Sequence, residues 1–278
     1  MARAGYITLV GTSLLSNFSR ERGSAVGYSD FSEWFRLSPS DGRNTYPDGV
    51  VCRAAENHHL IDLMASYIAE RRGRSCAEVN GVLGIQELFA HSPGDVEIVM
   101  MHTGVCNTIL TSKSLLEGFR RLGFTHTTAV ALKGFTSPEE FDRGLILLVD
   151  RLAAAVGDMR RRGLRIYVNA TPGFKAESAF LTIASMLLGV DAAVYIHESF
   201  NYPVVIPSLP VSLDVESLST LLKIFSGEDR VHIHALTSAL SHEEVREYLE
   251  KGVIRIHGEY AILRPWIHHI VEAVRKSG

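Results

Sequence analysis

Three short stretches carry small residues, hydroxyls and hydrogen-bond donors where a strand-like run gives way to a helix-like one. In "VGTSLL" these are Gly11, Thr12 and Ser13. In "MMHTGVCN" they are His102, Thr103 and Gly104. In "YVNATPGFKAES" they are Asn169, Thr171, Gly173, Phe174 and Lys175. Glycine lets a backbone approach a ligand closely, and hydroxyls and the free amides of a helix's first turn donate to anions. The combination suits phosphate. Lys175 adds a compact, flexible charge in a chain that otherwise prefers arginine: six of its 28 basic residues are lysine, and the two cations are chemically different.

Each stretch alone has a plainer use. Gly-Thr-Ser after a strand serves as a helix cap or turn. Lys175 could be a solvated first-turn residue, and His102 a turn or packing histidine, although it is also the one candidate for a titrating base. The pairs His232/His234 and His268/His269 lack companion ligands, so no metal site is indicated. Phe174 separates Gly173 from Lys175, so the phosphate loop of ordinary NTPases is absent and no nucleotide cofactor is implied. The coincidence of three such junctions is what favours an anion site.

The elements that must position them alternate in type. "YITLV", "VEIVMM", "TTAVAL", "LRIYVN" and "AAVYIHE" read as strands. Between them, "RAAENHHLIDLMASYIAERRG", "SKSLLEGFRRLG" and "SPEEFDRGLILLVDRLAAAVGDMRRRG" read as helices, the last with Ser137 as N-cap and Pro138 in the first turn. Strands apolar on both faces alternating with helices predict an α/β fold with a Rossmann-like, mainly parallel sheet flanked by helices. In such a sheet, ligands lie beyond the carboxyl ends of the strands, where all three stretches fall. The run from Ser19 to Gly49 is a long irregular insertion. "NYPVVIPSLPVSL" reads as an edge strand leading into a linker. The first domain is therefore expected over residues 1–213. Residues 214–278 read helix, short strand, helix, hairpin, helix, a pattern that suits a small winged-helix-like α+β domain.

Composition bounds the partners. A net charge of −3, from 28 basic and 31 acidic residues, argues against a general nucleic-acid coat. The helix "SHEEVREYLEKG" carries four acids against two bases, which argues against DNA or long RNA at the tail. Cys52, Cys76 and Cys106 are odd in number and widely spaced, so free thiols and a reducing, cytoplasmic compartment are expected. Nothing reads as a signal peptide, and the most apolar stretch, residues 180–196, is interrupted by Gly189 and Asp191 and too short to span a membrane.

"VNATPGFK" resembles the Asn-Ala-Thr-Gly-Gly-Phe-Lys signature of CRISPR-associated Rossmann-fold (CARF) proteins, with Pro172 in place of one glycine. "GTSLL" resembles the family's first-strand motif, and "SCAEVNGV" its Ser-Ala-Glu-x-Asn-Ser segment. "MHTGVCN" sits where the family has Thr-Asp-Thr-x-x-Gly, without the aspartate. "GFTSPEEFDRGLILL" and "LLGVDAAVYIHESF" resemble later blocks. The resemblance spans residues 6–213. It implies a homodimer that binds cyclic oligoadenylate, cyclic tetra-adenylate foremost, and, in the ring-nuclease type, cleaves it with Ser13 and Lys175 as the catalytic pair. Gly11, Thr12, His102, Thr103, Gly104, Asn169, Thr171, Gly173 and Phe174 would then contact the ligand. Cleavage would need no metal: a ribose 2′-hydroxyl attacks the adjacent phosphorus, leaving a 2′,3′-cyclic phosphate. The alternative is a sensor that binds without cutting and controls a HEPN ribonuclease or a DNA-binding regulator. Arg264 and His269 match the HEPN spacing, but Pro265 and the strand-like "VIRIHGEYAIL" speak against that fold.

Overall fold

The computed structural model describes residues 3–135, 140–197, 202–206 and 212–277. The chain divides into two compact units, residues 1–209 and 210–278.

The first unit begins with β1 (Ala4–Val10), all seven residues of which are buried. It is followed by helices α1 (Ser13–Arg22), α2 (Gly42–Thr45), α3 (Val50–Ala54), α4 (His58–Arg71) and α5 (Ala77–Leu88). Then come β2 (Val96–His102), α6 (Cys106–Arg121), β3 (His126–Ala131), α7 (Phe141–Arg161), β4 (Arg165–Asn169), α8 (Lys175–Leu187), β5 (Ala192–His197) and β6 (Tyr202–Ile206). The sheet order is β3-β2-β1-β4-β5-β6. All pairs are parallel except β5 with β6. The antiparallel edge strand holds Pro203, which fits an edge because proline cannot donate to the ladder. Ser137 and Pro138, read as the start of the long helix, lie outside the described residues, as does the continuation of the proline-rich segment over 207–211.

Three expectations need correction. The run 53–73 is not one helix: Asn57 interrupts it and caps α4, its Oδ1 accepting from the His59 and Leu60 amides at 3.0 and 3.2 Å. Asparagine competes well for free first-turn amides, which is why the break falls there. The long insertion is packed, with Phe31 and Trp34 buried against Phe18 and Tyr28. The cysteines are not all free. Cys52 and Cys106 form a disulfide, and only Cys76 remains a thiol, buried. Spacing of 54 residues hides this pairing in the sequence, because it is the packing of α3 against α6 that brings the two together.

The second unit contains α9 (Val215–Phe225), β7 (Arg230–His232), α10 (Ile233–Ala239), α11 (His242–Glu250), β8 (Ile254–His257), β9 (Tyr260–Leu263) and α12 (Trp266–Ser277). Its antiparallel sheet has the order β7-β9-β8. Leu221, Phe225, Leu236, Ile254, Leu263, Ile267 and Val271 are among its core residues. Ser241 and Glu244 close a reciprocal cap on α11: the Glu244 amide donates to Ser241 Oγ at 3.2 Å, and the Ser241 amide to the Glu244 carboxylate at 2.7 Å. Those bonds hold the Glu244 pKa below its usual value.

Candidate functional site

The chain winds outward from β1 toward β3 in one direction and from β4 toward β6 in the other. Strands β1 and β4 are neighbours, in register from Ala4↔Arg165 to Thr8↔Asn169. Connections leaving their carboxyl ends diverge, which opens a crevice at this switch point. It is a cleft of about 290 Å³ lined by Gly11, Thr12, Ser13, Thr171, Gly173 and Phe174, together with Ser16, Phe35, Ala77, Glu78 and Pro172. Helices α1 and α8 both start beside it, so two positive dipole ends and two sets of free amides face the same space.

Local chemistry explains the shape. Gly173 has φ +98°, and a Cβ there would lie 2.8 Å from Leu9 Cδ1; only glycine gives this turn without displacing the first strand. Asn169 is fully buried. Its Nδ2 donates to Thr8 Oγ1 at 3.1 Å and to the Glu78 carbonyl at 3.2 Å, and its Oδ1 accepts from the Thr171 amide at 3.1 Å. Asn169 thus ties β1, β4 and α5 together and does not line the cleft. A Cβ at Gly81 would fall 2.0 Å from Asn169 Oδ1, so that glycine lets α5 approach.

The residue that sequence reasoning missed is Glu78, in the first turn of α5 and fully buried. Its Oε1 accepts from the Gly11 amide at 2.7 Å and its Oε2 from Ser13 Oγ at 3.0 Å. Ser13 Oγ in turn accepts from the Ala77 amide at 3.0 Å. The hydroxyl proton therefore points at a carboxylate, one oxygen lone pair is used, and one remains. Glu78 lies in "SCAEVNGV", so the signal was present in the motif; what it lacked was any sign of a partner 65 residues away. Burial, and then the Glu78 charge, push the Cys76 thiol pKa well up, which keeps that cysteine neutral.

Lys175 opens α8 at the rim of this cleft. It is exposed and is not part of the cleft wall. Thr12 donates from Oγ1 to the Phe35 carbonyl at 3.0 Å, fastening the insertion to the same rim. Thr171 Oγ1 accepts from the Ile196 amide at 2.9 Å. Phe174 is 53% exposed and leaves a flat apolar surface next to the lysine.

Thr103 and Gly104 go elsewhere. They line a second, larger cleft of about 650 Å³ beyond β2 and β3, with Asn44, Thr45, Lys133, Gly134, Glu140 and Arg143 among its walls. Lys133 and Arg143 are exposed there. "ALKG", a lysine and glycine right after the third strand, carried the same kind of signal as the opening stretches and was passed over. His102 lines neither cleft. Its Nδ1 accepts from the Gly104 amide at 3.2 Å, and burial lowers its pKa, so it is a neutral turn histidine near pH 7 and is not placed to serve Ser13. Among the described residues, no group of three or more His, Cys, Asp or Glu could hold a metal ion, and no helix is long and apolar enough to cross a membrane.

Fold and site together define a Rossmann-like α/β domain with an amide- and hydroxyl-lined crevice at its switch point. Residues 73–209 match the family model described as CRISPR-associated protein (Cas_APE2256). Over that span, just under half of the chain, the sequence is similar to a CRISPR-associated family. The matched region contains Glu78, both later strand-end stretches and Lys175, whereas Gly11, Ser13 and the insertion precede it.

Proposed function

We propose that this protein is a ring nuclease of the CARF type: a homodimer that binds cyclic oligoadenylate, cyclic tetra-adenylate foremost, and cleaves it without a metal, ending a CRISPR signal in the cytoplasm. The observation that carries this reading is the Ser13 hydroxyl held on the buried Glu78 carboxylate at the crevice, with Lys175 opening α8 directly after the lining residues Gly173 and Phe174. A cleft of about 290 Å³ lies at the low end of small-ligand pockets and accommodates a nucleotide-sized piece of a ring. A second copy would supply the matching site, as a ligand with rotational symmetry requires.

In this mechanism the ribose 2′-hydroxyl gives its proton to Ser13 Oγ as the Ser13 proton passes to Glu78. The 2′-oxygen attacks phosphorus in line. The bond to the 5′-oxygen breaks, that oxygen takes a proton from water, and the hydroxide left behind takes the proton held by Glu78, which returns the pair to its starting state. A 2′,3′-cyclic phosphate and a 5′-hydroxyl result. Lys175 and the first-turn amides of α1 and α8 stabilise the charge that builds on the phosphoryl oxygens. Glu78 fills the role of base that the sequence had offered only to His102.

The test is incubation of the purified protein with cyclic tetra- and hexa-adenylate in EDTA, with products separated by chromatography. Linear products ending in 2′,3′-cyclic phosphate are expected, unaffected by chelation. Intact rings that nonetheless bind would replace the enzyme with a sensor; rings neither bound nor cut would end the reading altogether.

A further inference from the structure

The sheet of the C-terminal unit carries two matched rows of side chains. Register places Arg230 opposite Ile262 and Ile262 opposite Arg255; the next row is His232, Tyr260 and His257. Side chains alternate between faces along a strand, so these six share one face. Arg230, His232, Arg255, His257 and Tyr260 are exposed and Ile262 half-buried. Ala261, Leu263 and Ile254, from the opposite face, are buried in the unit's core.

The exposed rows are chemically uniform. The Arg230 guanidinium lies 5.2 Å from the centroid of the Tyr260 ring. The His232 ring meets Tyr260 edge-on at 5.7 Å, and His234 stacks on His232 at 5.2 Å. None of the three strands contains Asp or Glu. Asp229 and Glu259 stand at strand ends, Glu259 at 3.9 Å from His232. A sheet face that only had to be soluble would gain from opposite charges across strands. Two arginines flanking one apolar residue, beside two histidines flanking one tyrosine, forgo that gain.

We propose that this face binds single-stranded RNA. An exposed aromatic ring on a flat sheet stacks an unpaired base, guanidinium groups beside it take the phosphates, and the imidazoles can meet the 2′-hydroxyl. Duplex nucleic acid fits less well, because its paired bases leave no free face for Tyr260 to stack; the acids of α11, Glu243, Glu244, Glu247 and Glu250, argue against nucleic acid on that helix but not on this sheet face. The inference is independent of the cleavage reading, since it concerns another unit and a linear strand.

The experiment is fluorescence anisotropy of a labelled twelve-residue oligouridine titrated with the full-length protein at low salt. Oligouridine contains no adenine, so the outcome is separate from whatever the crevice binds. Saturable binding is expected, and the corresponding oligodeoxyuridine, which lacks only the 2′-hydroxyl, should bind several-fold more weakly. Arg230→Ala with Arg255→Ala should weaken binding at least about ten-fold and flatten the log–log salt slope by about 1.4, at about 0.7 per lost phosphate contact. Tyr260→Ala should weaken it about ten-fold, whereas Tyr260→Phe, which keeps the ring and the fold, should retain it. No binding, equal binding of the DNA strand, or binding indifferent to the arginine pair or to Tyr260→Ala overturns the proposal.

Discussion

The two clefts at the carboxyl edge of the sheet differ in what holds their polar groups. In the β1/β4 crevice, the Ser13 hydroxyl and the Gly11 amide are fixed on a buried carboxylate, and Asn169 fixes the backbone around them. In the β2/β3 cleft, more than twice the volume, the cations Lys133 and Arg143 are exposed. Groups held in place before the ligand arrives can act on a reaction; mobile charges in water mainly add attraction. On the proposed function, the first cleft is where bonds change and the second is where affinity is added.

The largest expected effect is at the first cleft. Lys175→Ala should lower the cleavage rate at saturating enzyme by about 10²–10³, with a smaller change in binding, because one preorganised donor to the transition state is lost. Glu78→Gln should lower it comparably, since an amide cannot take the Ser13 proton. Single-turnover assays on cyclic tetra-adenylate decide this; undiminished cleavage by either variant removes the assigned role.

Next comes the disulfide that staples α3, at the end of the insertion, to the start of α6. Its loss in Cys52→Ala/Cys106→Ala should cost about 2–4 kcal/mol of stability, typical for such loops, read as a lower Tm or urea midpoint. The Asn107 amide donates to Asn44 Oδ1 at 2.8 Å, and Asn107 Nδ2 to the Trp34 carbonyl at 3.1 Å, so the insertion stays attached but with a looser grip. Asn44 and Thr45 wall the second cleft, and binding there should suffer more than chemistry at Ser13. An unchanged melting curve, with both thiols free to react in the parent, would remove the bridge. Cytosolic disulfides are unusual, so thiol counting in protein taken rapidly from cells bears directly on this point.

A smaller change is expected from Lys133→Ala and Arg143→Ala. Each should raise the dissociation constant about five-fold at low salt, less at high salt, and act on affinity far more than on rate. A rate loss as large as that of Lys175→Ala would erase the distinction between the clefts.

The smallest effect concerns Glu177, in the first turn of α8. It is buried, its Oε2 has no hydrogen-bond partner among the described residues, and burial raises its pKa. The fold therefore favours its protonated form. That contribution is whole below the ordinary glutamate pKa and is lost as pH rises through the raised one. Glu177→Gln should raise Tm modestly at pH 8 and leave it unchanged at pH 4; the reverse pattern would mean the carboxylate is stabilising.

Local pattern carried much of the fold. Strands β1, β2, β4 and β5 are short apolar runs and α7 a long amphipathic one, and each reads correctly because burial imposes its period on consecutive residues; β3 reads as a strand although it lies at the sheet edge with no residue buried. The three strand-end stretches were legible for the same reason: glycine, hydroxyls and lysine at a strand-to-helix turn form a local motif. Asn57 shows the limit, since a helix interruption by one capping residue leaves the apolar period almost intact on both sides.

Tertiary structure alone decided the rest. Strand order separated Thr103 and Gly104 from Ser13 and brought Lys133 to them. Packing of α5 under β4 delivered Glu78 to Ser13, and packing of α3 on α6 joined Cys52 to Cys106. In the C-terminal unit, register assembled Arg230, Arg255, His232, His257 and Tyr260 from three strands into one face. A sequence written in one dimension determines which residues are buried and which turn; which distant groups meet depends on the order and register in which those elements pack, and chemistry between side chains begins only when they meet.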